Sequence, residues 1–184
     1  PKLFFGISPG CMDSMVNKYT ANKRLRSIDE YSPDGRHDCR PEYPTIVYSQ
    51  ILKKLYPDIP VILGGIEASM RRLTHYDYWQ DKLRRCILCD SGADMILYGS
   101  GTKSIIQISQ NIESGMSIND MHNIPQTVYL AKEGDIYGGI KDDDIVLHSH
   151  EECLSNKKAE AENYRHIEEE SNKIHAQRLL QQTG

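Results

Sequence analysis

Short apolar runs alternate with longer polar stretches over the first hundred residues. The runs at 3–7, 61–63 and 94–99 each predict a buried strand, because each stops abruptly at a turn rich in glycine or serine. Between the first two runs, Pro44 occupies the first-turn position that proline favours in helices, and Pro57 ends the pattern. The apolar spacing of that helix is carried by Ile46, Val47, Ile51 and Leu55, with Gln50 among them. Strand, helix and strand in this order predict a parallel crossover unit.

The remaining pattern is more varied. Residues 66–88 are predicted to be mostly helical with a break near 74–77, and an apolar face at 105–112 predicts another helix. Runs at 127–131 and 144–147 predict two further strands that form an edge pair. From about His150 onward the composition becomes polar, and its sparse apolar residues are spaced as in a helix.

These elements predict an α/β fold with a Rossmann-like open, mostly parallel sheet flanked by helices and a helical C-terminal tail. The predicted division is an accessory domain over 1–148 and a helical linker over 149–184. Parallel strands place their carboxyl ends at one edge of a sheet. The polar loops after Ser8, after Leu63 and after Tyr98 are therefore expected to converge, whatever their roles.

The composition of the chain limits the classes of function that it can have. The 184 residues are 39% hydrophobic and 26% charged, as in a globular domain, and the net charge of −4 argues against a general nucleic-acid surface. No apolar stretch approaches the roughly 20 residues of a membrane helix. Five scattered cysteines indicate a reducing compartment, and a cytoplasmic location is expected. The chain starts at Pro1 and runs directly into an apolar strand, so a fragment of a longer protein is expected.

Several possible motifs match their consensus poorly. The sequence from Gly99 to Ser104 lacks the third glycine of a dinucleotide fingerprint and the spacing of a P-loop. Cys86 and Cys89 form C-x-x-C, but no second ligand pair stands at zinc-site spacing, so no metal site is predicted. Gly64 and Gly65 allow positive φ and close approach, yet glycines end strands in many folds.

One segment is unusually dense in residues that dominate interface hot spots. The only tryptophan, two tyrosines and two arginines fall within nine residues, and a second arginine pair follows. The members are Arg71, Arg72, His75, Tyr76, Tyr78, Trp79, Arg84 and Arg85. Such a cluster can grip an anion or an acidic partner surface, and it can equally pack a helix onto the sheet.

Three segments together resemble the N-terminal region of the YgiQ-like radical SAM proteins. They are MDSMVNKYTA at 12–21, VILGGIEASMRR at 61–72 and HYDYW at 75–79, and the similarity continues through 90–95. The resemblance implies a partial cobalamin-binding-like domain followed, in the full-length protein, by a radical SAM barrel. That barrel would hold a 4Fe–4S cluster and S-adenosylmethionine (SAM), whereas no cofactor is expected in this chain.

The resemblance also defines a leading hypothesis, in which this region is an accessory domain that helps close the active site of the barrel of the same polypeptide. Its substrate is unknown, and the chain alone is expected to be inactive. No catalytic role is assigned to any residue. The residues expected to contact substrate or the barrel are Asp13, Ser14, Asn17, Tyr19, Gly64, Gly65, Glu67, Ser69, Arg71, Arg72, His75, Tyr76, Trp79, Gly99 and Gly101.

Three departures from the family pattern bear on what the resemblance implies, and two alternatives are considered beside it. The five cysteines cannot supply C-x-x-x-C-x-x-C, and the cobalt-ligating D-x-H-x-x-G is absent. Glu67 stands where cobalamin-binding relatives often have histidine. One alternative is a binding module for a cobalamin-like or small anionic ligand, at Gly64-Gly65 and Gly99 to Gly101. The other is a domain that docks a protein through the Arg–Tyr–Trp segment.

Overall fold

Three short parallel strands form the centre of the fold, as the strand–helix–strand pattern predicts. The computed structural model describes residues 3–132 and 134–184, so Pro1, Lys2 and Glu133 lie outside the described residues. The described chain divides into two compact units. The first unit contains the chain up to Arg72 and Ile87–Leu130, and the second contains Leu73–Cys86 and Ala131–Gly184.

The first unit is built around a four-stranded sheet of order β1-β2-β5-β6. Its elements are β1 (Phe5–Ile7), α1 (Ser14–Lys18), a 3-10 turn (Pro33–Gly35), α2 (Pro44–Leu55), β2 (Val61–Leu63), α3 (Gly65–Met70), α4 (Ile87–Ser91), β5 (Met95–Leu97), α5 (Thr102–Glu113), a 3-10 turn (Ile118–Asp120) and β6 (Thr127–Val128). β1, β2 and β5 are parallel, with Ile7 opposite Leu63, and β6 is antiparallel to β5. The predicted α/β class and mostly parallel sheet are confirmed.

One cluster of the core of this unit packs between the sheet and α5. Ile62 and Met95, from adjacent strands, pack with Ile108 of α5 and with Met121 of the segment that follows. All three residues of β2 are buried, as expected for a central strand covered on both faces.

The second unit is assembled from two separate stretches of the chain. Its elements are β3 (His75–Asp77), β4 (Lys82–Arg84), β7 (Ile145–Val146), α6 (His150–Ser155), α7 (Lys157–Ser171) and β8 (Leu179–Leu180). β3 and β4 form an antiparallel hairpin, and β7 pairs with β8 in parallel. A complete capping box at Ser149 and Glu152 begins α6.

The prediction that residues 66–88 are mostly helical is wrong over its second half. Residues 75–84 form the hairpin, and only α3 and α4 are helical. The turn is set by Asp77, whose carboxylate accepts hydrogen bonds from the backbone N–H groups of Trp79 and Gln80 at 2.9 and 3.0 Å. Asp81 takes the left-handed conformation that completes the turn, at φ 52°. Aspartate stabilises turns in this way in competition with helix.

The predicted edge pair between 127–131 and 144–147 is also wrong. β6 pairs with β5, whereas β7 pairs with β8 near the C-terminus. The polar tail is helical through α6 and α7, as predicted, but it ends in a strand that its composition does not indicate. No helix within the described ranges combines the length and the hydropathy that a membrane crossing requires.

Candidate functional site

The loops that follow β1, β2 and β5 meet at the carboxyl edge of the sheet. The backbone N–H of Gly64 donates to the carbonyl of Ile7 at 2.8 Å, which joins the ends of the first two strands. Gly65 has a positive φ of 81°, and a Cβ there would lie 2.7 Å from Ser8 Oγ. Glycine is therefore required at position 65 by the close approach of the β1 loop.

A buried ionic network fixes the β1 loop against α3. Glu67 is completely buried, and its Oε2 accepts a hydrogen bond from the backbone N–H of Ser14 at 2.8 Å. Arg71, one helical turn later, lies 3.6 Å from the same oxygen and donates to Asp13 Oδ2. Asp13 in turn caps α1 by accepting from the backbone N–H of Met15 at 2.9 Å. Burial without these partners would be costly for both carboxylates, so the network holds the loop in one geometry.

Two polar atoms of this network have no hydrogen-bond partner among the described residues. They are Glu67 Oε1 and Ser14 Oγ, and both are buried. Burying an unsatisfied oxygen is unfavourable, so such atoms are common where a water or another group completes the site. The unsatisfied pair lies on the two elements that the network joins, α1 and α3.

The β5 loop is attached to α3 from the other side. Ser69 Oγ accepts a weak hydrogen bond from the backbone N–H of Gly99 at 3.4 Å, and the Arg72 guanidinium lies 5.0 Å from the centre of the Tyr98 ring. A Cβ at Gly101 would lie 2.8 Å from Leu97 Cδ2. The glycine at 101 is thus explained by the packing of the chain itself, and it gives no separate support to a bound phosphate.

The loop at 21–40 is anchored by a buried carboxylate. Asp29 is 5% exposed and accepts hydrogen bonds from Asn17 Nδ2 at 2.6 Å and from Arg40 Nε at 2.8 Å. Burial acts to raise the pKa of Asp29, but the hydrogen bonds from Arg40, Tyr31, Asn17 and Ser32 outweigh it and lower the pKa to about 2.

Asp29 and Arg40 were not among the predicted contact residues. The only available signal was a turn signature at Asp29, since aspartate commonly accepts from backbone N–H groups two residues later. Its bond from Tyr31 N at 2.9 Å fits that signature. Tyr31 also contacts the β1 loop, because its hydroxyl lies 2.7 Å from Cys11 Sγ and 2.9 Å from the backbone N of Cys11.

Tyr19 lies at the end of α1 and does not take part in the buried network. Its hydroxyl donates to Glu42, and this hydrogen bond, with burial and the negative charge of Glu42, raises the pKa of Tyr19 to about 12. Tyr19 therefore stays protonated over the physiological range.

Exposed apolar side chains stand next to the network residues in the chain, in and beside α1 and α3. Met12 and Val16 flank the start of α1, while Ile66 and Met70 lie next to Glu67 and Arg71 on α3. We refer to Met12, Val16, Ile66 and Met70 as the edge patch. Apolar residues grouped at a sheet edge where loops converge are typical of a surface that another domain or a ligand covers.

Three predicted contact residues lie in the second unit. His75 Nδ1 lies 3.0 Å from the Leu73 carbonyl oxygen and donates to it when Nδ1 carries a proton. Tyr76 donates to Asp81 across the hairpin turn, which raises the pKa of Tyr76. Trp79 packs edge-on against Tyr78, with ring centroids 5.3 Å apart. These side chains thus have structural contacts within the hairpin.

The residues present do not fit an iron–sulfur cluster. All five cysteines are free thiols, with Cys86 and Cys153 buried and Cys11 and Cys39 exposed. Within residues 3–132 and 134–184, no group of three or more His, Cys, Asp and Glu side chains could hold a metal ion. A cleft of about 350 Å³ includes Lys53 and Asp94 in its lining, but these two are paired with each other at 3.0 Å.

An open, mostly parallel sheet flanked by helices defines the first unit as an α/β domain, a class in which ligands commonly bind at the carboxyl edge of the strands. The chain belongs to the Radical SAM N-terminal family, which matches residues 1–184. The resemblance noted from the sequence is thereby confirmed. Membership of a radical SAM family implies a 4Fe–4S cluster and SAM in the full-length protein.

Close relatives are curated as UPF0313 proteins. The chain is 59% identical to the protein of Bacteroides thetaiotaomicron over 193 residues, which cover 99% of this chain and 31% of that protein. It is 56% identical to the Porphyromonas gingivalis protein over all of this chain and 29% of that protein. A Clostridium botulinum relative is 45% identical over 98% of this chain and 28% of its own length. No solved structure is significantly similar.

These coverages mean that the chain spans less than a third of the length of these relatives. The relatives therefore continue well beyond the region that corresponds to this chain.

Proposed function

We propose that this chain is the N-terminal accessory domain of a radical SAM iron–sulfur enzyme, and that its sheet edge faces the barrel of the same polypeptide. The observation that carries the proposal is the partly unsatisfied edge, where Asp13, Glu67 and Arg71 fix the β1 loop against α3 beside the exposed residues of the edge patch. The cluster and SAM would be held by the barrel, because this chain lacks the required cysteines.

In this arrangement, the residues of the domain hold the β1 loop in position and exclude water. They take no part in the reaction itself. The Asp13–Arg71–Glu67 network fixes the β1 loop, so the edge needs little reorganisation when the barrel covers it. The edge patch excludes water, which protects a reactive radical from side reactions. The unsatisfied Glu67 Oε1 and Ser14 Oγ offer an acceptor and a hydroxyl to a polar group at the interface. The substrate of the proposed enzyme is not assigned.

The test uses the full-length protein. It is reconstituted anaerobically with iron and sulfide, reduced, and assayed for cleavage of SAM to 5′-deoxyadenosine. Cleavage is expected. If the protein holds a fully loaded cluster under reducing conditions and yet cleaves no SAM in the presence of cell extract as a substrate source, the assignment as a radical SAM enzyme is wrong.

A charge placed in the edge patch tests the position of the barrel. Met70→Asp in the full-length protein is expected to lower the yield of 5′-deoxyadenosine several-fold, because burying an unpaired carboxylate at an interface is strongly unfavourable. Met116→Asp is the matched control, since Met116 is also an exposed methionine of the first unit. Equal activity of the two variants would place the barrel elsewhere.

A binding module for a cobalamin-like or small anionic ligand remains the second candidate, supported by the unsatisfied Glu67 Oε1 and Ser14 Oγ. The turns at Gly65 and Gly101 favour it less, because Ser8 and Leu97 occupy the space beside them. Saturable spectral change on titration with cobalamin would support it.

The free cysteines bear on the cellular compartment of the protein. Five free thiols fit a reducing environment, and we propose that the protein is located in the cytoplasm.

A further inference from the structure

Helix α2 exposes large apolar side chains on one of its faces. The face that packs into the first unit carries Thr45, Ile46 and Ser49, which are 1%, 9% and 0% exposed. Another face carries Tyr48, Ile51 and Leu55, which are 40%, 48% and 63% exposed. A helix on a domain surface normally directs its large apolar residues inward and its small polar residues outward.

The exposed residues form a continuous stripe. Positions 48, 51 and 55 have the i, i+3, i+7 spacing that aligns side chains along one face of a helix. Tyr56, directly after the helix, extends the stripe toward β1, where its ring lies 5.3 Å from that of Phe5. We refer to Tyr48, Ile51, Leu55 and Tyr56 as the α2 stripe. Its four residues are uncharged; of the two lysines beside it, Lys53 is paired with Asp94 at 3.0 Å and Lys54 is exposed.

We infer that the α2 stripe is covered by an apolar face of the same polypeptide that lies outside these 184 residues. The relatives supply such an occupant, because at least two thirds of their length lies outside the region that corresponds to this chain. The stripe is also neutral, so it suits an apolar face better than a charged partner surface. The inference concerns a surface separate from the sheet edge and holds whether or not the protein cleaves SAM.

The size of the stripe favours an occupant from the same polypeptide over a second copy. A stable interface between separate proteins buries about 800 Å² per partner, whereas a 12-residue helix is only about 18 Å long. A covalently attached segment does not lose the translational freedom that a separate partner loses on binding. A narrow stripe is therefore enough for contact within one polypeptide.

Hydroxyl-radical footprinting of the full-length protein tests this inference without any substitution. Tyr48, Ile51 and Leu55 are expected to be modified several-fold more slowly than their exposed fractions here predict, at all protein concentrations. Ile106, 53% exposed on the 12-residue helix α5, serves as the reference for an exposed isoleucine. Modification of the stripe at the rate its exposed fractions predict would overturn the inference. Protection that disappears on dilution would identify a second copy as the occupant and would also overturn it.

A pair of substitutions gives an independent readout. Ile51→Lys is expected to lower the thermal unfolding midpoint of the full-length protein by several degrees, because a buried ammonium group has no partner in the stripe. Ile106→Lys is expected to leave it almost unchanged, as for most surface substitutions. Equal midpoints for the two variants, together with a freely modified stripe, would show that nothing covers α2. Because neither readout involves SAM cleavage, failure here is distinct from failure of the proposed function.

Discussion

Single residues at the sheet edge act mainly by holding loops in place. Glu67, Arg71 and Asp13 were predicted to contact substrate or the barrel, and the structure gives each of them an internal partner. Internal pairing does not test the predicted contacts. It does mean that changing these residues alters the shape of the edge before it alters any contact beyond it.

Arg71 is predicted to be far more important for stability than its neighbour Arg72. Arg71→Leu leaves the buried Glu67 and the partly buried Asp13 without their cation, and breaking a buried ion pair typically costs about 3–5 kcal/mol. Arg72→Leu removes a guanidinium from the face of Tyr98, a contact of about 0.5–2 kcal/mol, together with its hydrogen bond to the Ser69 carbonyl, which water can partly replace because Arg72 is only half-buried. Urea denaturation of the two variants measures the difference, and equal midpoints would contradict the proposed buried network.

The effect of a Cβ at position 65 on stability can be measured against the matched position Gly92. Both glycines are in the left-handed region, but a Cβ at position 92 would have no neighbour within 4 Å. Both Gly65→Ala and Gly92→Ala introduce the strain of positive φ, about 1–2 kcal/mol. Only Gly65→Ala also meets Ser8 Oγ, so it is expected to cost about 1–3 kcal/mol more. Unfolding free energies of the two variants, compared by urea denaturation, check this; similar losses would show that the β1 loop can move away.

The Asp29 carboxylate gives the first unit a defined response to acid. Its pKa is about 2 in the folded chain against an ordinary value of 3.8, so the folded state favours the ionised form. This stabilisation is present above about pH 4 and is lost as the pH falls toward 2. Asp29→Asn is expected to be less stable at neutral pH and to lose less stability on acidification. Urea midpoints measured across this range would show parallel curves if Asp29 were not responsible.

At the level of elements, the sequence indicates most clearly what local chemistry dictates. Pro44 and Pro57 bracket α2, and glycines follow β2 and β5, so these elements and their parallel order are predictable. The β3–β4 hairpin is not predictable in this way. Its residues also fit a helical spacing, and contacts with their cross-strand partners decide between strand and helix. The two-residue strand β8 is too short to have a pattern, and its partner β7 lies more than thirty residues earlier.

The hairpin is predicted to depend on Asp77. This residue is buried, accepts from two backbone N–H groups in the turn and lies 3.9 Å from Arg84. Asp77→Ala leaves those donors unsatisfied, at a cost of about 1–3 kcal/mol. Faster hydrogen exchange at Tyr76 and Leu83 is the expected sign. Tyr76→Phe is the control, because it removes the exposed hydrogen bond to Asp81 but leaves the Asp77 bonds to the turn, and it should speed exchange much less.

At the scale of the whole molecule, the sequence does not show which side chains pair when they are far apart in the chain. Asp13 and Arg71 stand 58 positions apart and Ser14 and Glu67 stand 53 apart, so their pairing depends on the completed sheet. The convergence of the loops was predictable from strand order. The anchoring of the 21–40 loop by Asp29 and Arg40 was not predictable, because neither residue belongs to a periodic pattern.

The five thiols provide a test of the whole chain in one experiment. Under native conditions, Cys11 and Cys39 are expected to react with iodoacetamide first, because both are exposed. Cys153 should react last, since it is buried and burial raises its pKa to about 11, which leaves little thiolate at neutral pH. Peptide mapping by mass spectrometry gives the order. Early modification of Cys153 would mean that α6 and α7 open readily.

The second unit contains two stretches of chain separated by a large part of the first, and this has a consequence for synthesis on the ribosome. The hairpin at 75–84 emerges early, but β7, α6 and α7 emerge only after the parallel sheet is complete. Isolated hairpins are marginally stable in water. The nascent hairpin is therefore expected to stay unfolded or loosely folded while the sheet forms. The second unit is then the last part of this region to fold.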